Sequence, residues 1–109
     1  MDQLTDARRA CLTVAMDTPA GGLLVGLAGE LDIASLPEIA AQLDALLGRH
    51  RQPLQLDLAG LRFLDSSGVT VLIRIVNHFD PVTARGATPA VRRVIQVLGL
   101  TGRFGLDGA

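Results

Sequence analysis

Lysine, tryptophan and tyrosine are missing from this chain of 109 residues, which also carries a single cysteine and two histidines. Cys11 alone leaves no intrachain disulfide and no cysteine pair for zinc, which favours a reducing compartment. All ten basic residues are arginine. They are scattered, and no Trp or Tyr accompanies them, so the basic and aromatic platform of a nucleic-acid binder is not there. The Arg8-Arg9 pair reads as a solvated flank. A formal charge of -1 points to no strongly electrostatic partner. The longest strongly apolar run, residues 69–76, is broken by Thr70 and Arg74 and falls far short of the roughly 20 residues needed to span a bilayer. The start, Met1-Asp2-Gln3, lacks the basic head and apolar core of a secretory signal. The expectation is a cytoplasmic protein with no membrane and no direct nucleic-acid partner.

Catalytic signatures are missing as well. A nucleophile elbow needs glycine on both sides of its serine, and Leu64 and Asp65 occupy the upstream positions here. His50 and His78 fall near predicted helix ends, beside Arg or Asn, where a surface role is the commoner one. Gly21-Gly22 sits in a hairpin, and the glycines at 26 and 29 precede no P-loop lysine. The reading is a binding module: not an enzyme, with no cofactor and no metal.

Nearly half the residues are hydrophobic, and they are patterned. Residues 11–16 alternate, with Leu12, Val14 and Met16 on one face, and residues 23–27 form a second run of strand length. Turn-forming residues 18–22 between them predict an antiparallel hairpin. Ser35-Leu36-Pro37-Glu38 has capping-box spacing, and Leu36, Ile39, Leu43 and Leu46 recur at helical intervals up to Gly48. Leu54, Leu56 and Leu58 alternate as a strand, and a loop is expected through Phe63. A second helix starts at Ser66, with Val69, Leu72, Ile73 and Val76 as its apolar stripe and Thr70, Arg74 and Asn77 as another; it ends at Asp80-Pro81. Residues 82–85 are a short, weakly apolar stretch, and the pattern leaves open whether they form a strand. Thr88-Pro89 opens a third helix, with Val91, Val94, Ile95 and Leu98 inward and Gly99 at its end. No period is visible from Leu100 onward.

The chain therefore reads as one α/β domain over residues 1–109, with residues 1–10 a flexible flank and 105–109 a flexible tail. The expected architecture is a mixed four- to five-stranded sheet, mostly parallel after its first strand, with three to four helices mainly on one face.

Asp65-Ser66-Ser67-Gly68 stands where a strand and loop hand over to a helix, at the carboxyl edge of the sheet where ligands and partners of open α/β folds dock. Two readings share those residues. Asp or Ser before an apolar stripe is a good N-cap. A helix start with unpaired amides also tolerates an anion, so a phosphoserine at Ser67 would fit.

Four segments, in order, resemble the STAS domain, and within it the stand-alone bacterial anti-sigma-factor antagonists of the partner-switching type. They are Gly29-Glu30-Leu31-Asp32 followed by Ser35, Leu56-Asp57-Leu58, Phe63-Leu64-Asp65-Ser66-Ser67-Gly68, and Pro89-Ala90-Val91-Arg92-Arg93-Val94, and the resemblance as a whole covers about residues 11–104. The resemblance implies that Ser67 is phosphorylated by a partner that is both anti-sigma factor and serine kinase. It implies that the unphosphorylated form binds that kinase and frees a sigma factor, and that a PP2C-type phosphatase reverses the mark. Asp32, Asp65, Ser66, Ser67 and Gly68 would share the partner surface, although Asp32 equally fits a loop or cap acid. A weak homodimer, and a scaffold or ligand-sensing role in a larger assembly, are the other readings the family leaves open. The chain departs from the family in the stretch 80–88, which is shorter and less apolar than usual.

Overall fold

The computed structural model describes residues 9–15, 21–99 and 101–104. The flank 1–8, the hairpin connection 16–20 and the tail 105–109 lie outside the described residues. In chain order the elements are β1 (Cys11–Ala15), β2 (Leu23–Leu31), a 3₁₀ turn (Leu36–Glu38), α1 (Ala40–Leu47), β3 (Leu54–Asp57), β4 (Leu61–Leu64), α2 (Ser66–His78), β5 (Val82–Arg85), α3 (Pro89–Val97) and α4 (Thr101–Phe104).

The five strands form a mixed sheet in the order β1-β2-β3-β5, with β4 also on β2. β1 runs antiparallel to β2, from Cys11 opposite Ala28 to Ala15 opposite Leu24, as the hairpin reading requires. β3 and β4 both run parallel to β2, β3 on its first half and β4 on its last three residues. They are consecutive pieces of one edge, interrupted by a turn in which the Leu61 amide donates to the Leu58 carbonyl. That turn explains why β4 was expected as a loop. Its buried residues, Leu61 and Leu64, flank two exposed ones, which breaks the period of two, and the register slips between Gly29 and Glu30. β5 is a true strand, parallel to β3, with Val82 and Ala84 buried.

Alternation along β2 sends Leu23, Val25, Leu27 and Leu31 into the core, and Leu54, Leu56, Val82 and Ala84 follow from the neighbouring strands. Helix residues Ile39, Leu43, Leu46, Leu72, Ile75 and Val91 close the same layer. The other face carries Thr13, Gln55, Thr83 and an exposed pair, Asp57 and Arg85, 3.7 Å apart on β3 and β5. An ion pair so exposed contributes little. One face of the sheet is therefore built for packing and one for water, which antiparallel and mixed sheets tolerate.

Several local expectations change. The capping box does not form: the 3₁₀ turn has no side-chain cap from Ser35, and Glu38 Oε1 instead accepts the Ala10 amide at 2.9 Å. That bond and the burial of Ala10 tie down a residue assigned to the flank. On α2 the buried stripe is Gly68, Val71, Leu72, Ile75 and Val76, continued by Phe79. Val69 and Ile73, expected inward, are half-buried at its side. On α3, Val91 and Ile95 are buried while Leu98 is 50% exposed. Residues 101–104 add a one-turn helix, too short to show a period in sequence. No helix among the described residues is long and apolar enough to cross a membrane.

The one-faced layering predicts an asymmetric response to truncation. Leu56→Ala, at the centre of the packed face, should cost about 2–5 kcal/mol in urea unfolding. Thr83→Ala, on the open face of an edge strand, should cost less than about 1 kcal/mol; equal losses would contradict this layering.

Candidate functional site

The site is built where β2 and β4 end together. Leu31 pairs with Leu64 in the last register of that ladder, so the next residues, Asp32 and Asp65, leave the sheet side by side. Asp65 turns into α2 as its N-cap, with extended backbone geometry. Its Oδ1 accepts from the Ser67 amide at 2.8 Å and the Gly68 amide at 3.1 Å. Its Oδ2 accepts from the Ile33 amide at 3.2 Å, on the neighbouring loop. One carboxylate thus satisfies two orphan donors of a helix start and fastens that start to the loop after β2.

Asp32 organises this loop. Its Oδ1 accepts the Ser35 amide at 2.9 Å, while the Ser35 hydroxyl accepts the Asp32 amide at 3.0 Å and donates to the Glu30 carbonyl at 2.6 Å. Ser35 is consumed by this turn, which is why it caps no helix. Asp32 acts first as a turn acid, and its half-exposed position keeps it on the same edge as Asp65.

Gly68 stands apart from the other residues expected at the surface, because it is buried. It heads the inward stripe of α2, and the Asp65 amide donates to the Leu31 carbonyl at 3.2 Å nearby. A methyl group at Gly68 would overlap the Leu31 carbonyl oxygen and lie 2.8 Å from Leu64 Cβ. Glycine is needed there for close approach, not for backbone freedom, since the residue is helical.

The two serines face different grooves. Ser66, exposed, borders an apolar groove of about 370 Å³ between α2 and α3, with Val69, Val94, Val97 and Leu98 in its wall and Arg93 at its rim. Ser67, half-buried, borders a groove of about 300 Å³ between α1 and α2, with Leu36, Leu43, Asp44, Thr70 and Arg74. The Ser67 hydroxyl makes no hydrogen bond to a described residue. The expectation of free amides at this helix start is corrected, because the Ser67 and Gly68 amides are occupied by Asp65. An incoming anion would meet a carboxylate there, not an open cradle.

Sequence reasoning missed the apolar part of the edge. Ile33 and Val97 are each 74% exposed, and Leu98 joins them. Ile33 sits in the turn that Asp32 and Ser35 close, where an apolar residue between polar turn formers is the available signal. His78 closes α2, twelve residues from Ser66 and about 18 Å along the axis at 1.5 Å per residue. Its Nε2 lies 2.5 Å from the Arg49 carbonyl oxygen. No histidine is placed to act as a base for either serine, and among the described residues no group of three His, Cys, Asp or Glu could hold a metal ion.

The cap and the close approach are separable by mutation. Asp65→Ala should cost about 1–2 kcal/mol through loss of the cap, and Asp65→Asn less, because asparagine caps nearly as well. Gly68→Ala should cost about 1–3 kcal/mol despite alanine's better helix propensity, because neither the Leu31 backbone nor Leu64 can yield freely. Chemical denaturation of the three variants checks both; a stabilised Gly68→Ala would refute the steric account.

Known proteins share this fold. The family model described as "Mlab, STAS domain" matches residues 14–106. An anti-sigma F factor antagonist of Paenibacillus polymyxa is 30% identical over 94 residues, covering 82% of this chain and 80% of its own length. The crystal structure of an anti-sigma factor antagonist from Mycobacterium paratuberculosis superposes with a TM-score of 0.70 at 25% identity, over 91% of this chain and 87% of that one. The anti-sigma factor antagonist SpoIIAA in its unphosphorylated form gives 0.62 at 23% identity, over 89% and 88%, a likeness of fold. With the fold and the matched span in agreement, the chain belongs to the STAS domain family.

Proposed function

We propose that this protein is an anti-sigma-factor antagonist that switches partners by phosphorylation of Ser67. The unphosphorylated form binds an anti-sigma factor that is also a serine kinase, and this binding frees a sigma factor. The kinase then passes the γ-phosphoryl group of ATP to Ser67 Oγ; the hydroxyl proton is lost and ADP leaves. A PP2C-type phosphatase hydrolyses the phosphoester and restores the binding form. The antagonist contributes a substrate hydroxyl and a surface, and no catalytic group.

The observation that carries this reading is the placement of Ser67: a half-buried residue whose amide is held by the Asp65 carboxylate and whose hydroxyl makes no hydrogen bond to a described residue, on an edge flanked by exposed Ile33, Val97 and Leu98. Exposed apolar side chains around a polar turn suit a protein partner better than water. Asp32, Asp65, Ser66 and Ser67 lie on that surface, and Gly68 supports it from beneath. Phosphorylation adds close to two negative charges. Because Asp65 already holds one negative charge at the helix start, the added phosphate makes the edge strongly anionic at the contact. Repulsion and the cost of desolvating the phosphate then break the complex without refolding the domain.

Incubation with candidate serine kinases of the same genome and ATP, followed by mass spectrometry, tests the assignment: phosphate is expected on Ser67 and lost in Ser67→Ala. In a binding assay with the same kinase, Ser67→Ala should hold the partner about as well as wild type. Ser67→Asp should bind at least about tenfold more weakly, or about 1.4 kcal/mol. No phosphate on Ser67, or equal binding by both variants, would sink the switch.

A further inference from the structure

A phosphate on Ser67 would be held in place by a counter-charge, and the two amides nearest it at the helix start are already taken. The Ser67 and Gly68 amides donate to Asp65 Oδ1, and the carboxylate itself repels the new anion. The Thr70 hydroxyl, one turn along the same groove, donates to the Ser66 carbonyl at 3.0 Å and so has no proton to offer. Asp44 of α1, on the facing wall, is an acid. Arg74 is the one cation among the described residues that line this groove, and it forms no ion pair with a described residue.

Ser67, Thr70 and Arg74 stand at i, i+3 and i+7, on one face of α2. Seven residues span about 10.5 Å of helix. Helical side chains lean toward the N-terminus, which favours an Arg74 reaching back toward Ser67 along the groove both residues line, and an extended arginine together with a phosphoserine covers the separation. Arginine suits the task, since its planar donors match phosphate oxygens in a two-point contact.

We infer that the phosphate of phospho-Ser67 turns away from Asp65 into the α1–α2 groove, where Arg74 seats it. This inference rests on the reading of Ser67 as the phosphate carrier. Arg74 is a positioning residue of the phosphorylated state: it fixes the anion against the domain and leaves the Asp65 cap intact. The groove, open in the unmodified protein, becomes occupied at its Ser67 end.

Chemical or genetically encoded installation of phosphoserine at position 67 makes the test independent of any kinase. The ionisable groups facing the phosphate are Asp65 in its own turn, Asp44 from α1 and Arg74. The carboxylates raise the second phosphate pKa and the guanidinium lowers it. In a phosphorus-31 titration, Arg74→Gln should therefore raise that pKa by about half a unit or more relative to wild type. Arg93→Gln, in the other groove, should leave it in place. In the wild-type phosphoprotein the Arg74 side-chain nitrogen signals should shift on phosphorylation and follow the phosphate through its titration. An unmoved pKa in Arg74→Gln, an equal shift in Arg93→Gln, or Arg74 signals blind to the phosphate would each overturn the seat. Failure of every kinase to modify Ser67 would count against the proposed switch and leave this result standing.

Discussion

The carboxylate of Asp65 accepts three amides from two segments of chain: Ser67 and Gly68 at the start of α2, and Ile33 in the loop after β2. Both segments leave the sheet at the paired ends of β2 and β4, so they begin close together; the carboxylate locks their relative position. What makes the geometry available is Gly68. Only a residue without a Cβ lets the first turn of α2 rest on the Leu31 carbonyl, and only that approach brings the Asp65 side chain within reach of the Ile33 amide. The four-residue turn is thus a joint before it is a surface, and the surface inherits its rigidity.

This joint explains why the N-cap and functional readings of the same residues are not rivals. A cap that uses a serine hydroxyl would spend the group that the proposed phosphorylation requires. Asp65 does the capping, which leaves the hydroxyls of Ser66 and Ser67 without a structural duty at the helix end. The cap also sets a negative charge beside them, which makes the edge respond steeply to any further anion.

Much of this was legible from residue patterns. The apolar run of β2, the alternation in β3, the helical spacing in α1, and Thr88-Pro89 opening α3 appear where the sequence puts them, and the turn 65–68 lies at the sheet edge as its position between strand and helix implied. What escaped has physical causes. β4 is a continuation of β3's edge after a turn, and its two buried leucines are three apart, so a period-two search finds nothing. Of the stripe expected on α2, Leu72 and Val76 are buried, whereas Val69 and Ile73 are apolar yet serve its flank, and Gly68 counts as inward only once the tight approach is known. Ser35 and Glu38 show capping-box spacing, but each finds a better partner through tertiary contact, Ser35 in the Asp32 turn and Glu38 at the Ala10 amide. Spacing along a chain cannot reveal competition from elsewhere in the fold.

The same limit applies to the choice between the two serines. They are adjacent in sequence and both start α2, so local chemistry treats them alike. Successive residues on a helix point about 100° apart, and here that rotation places Ser66 on the α3 side and Ser67 on the α1 side. The α3 groove is walled largely by valine and leucine, with its arginine at the rim, and suits apolar contact with a partner. The α1 groove combines an apolar floor with Thr70, Asp44 and Arg74, and its one cation shares the Ser67 face of α2. Binding and modification can therefore occupy opposite sides of a single helix start. A charge added on one side need not fill the groove on the other to weaken what docks there, because the grooves meet at adjacent residues of one helix start, Ser66 bordering the first and Ser67 the second.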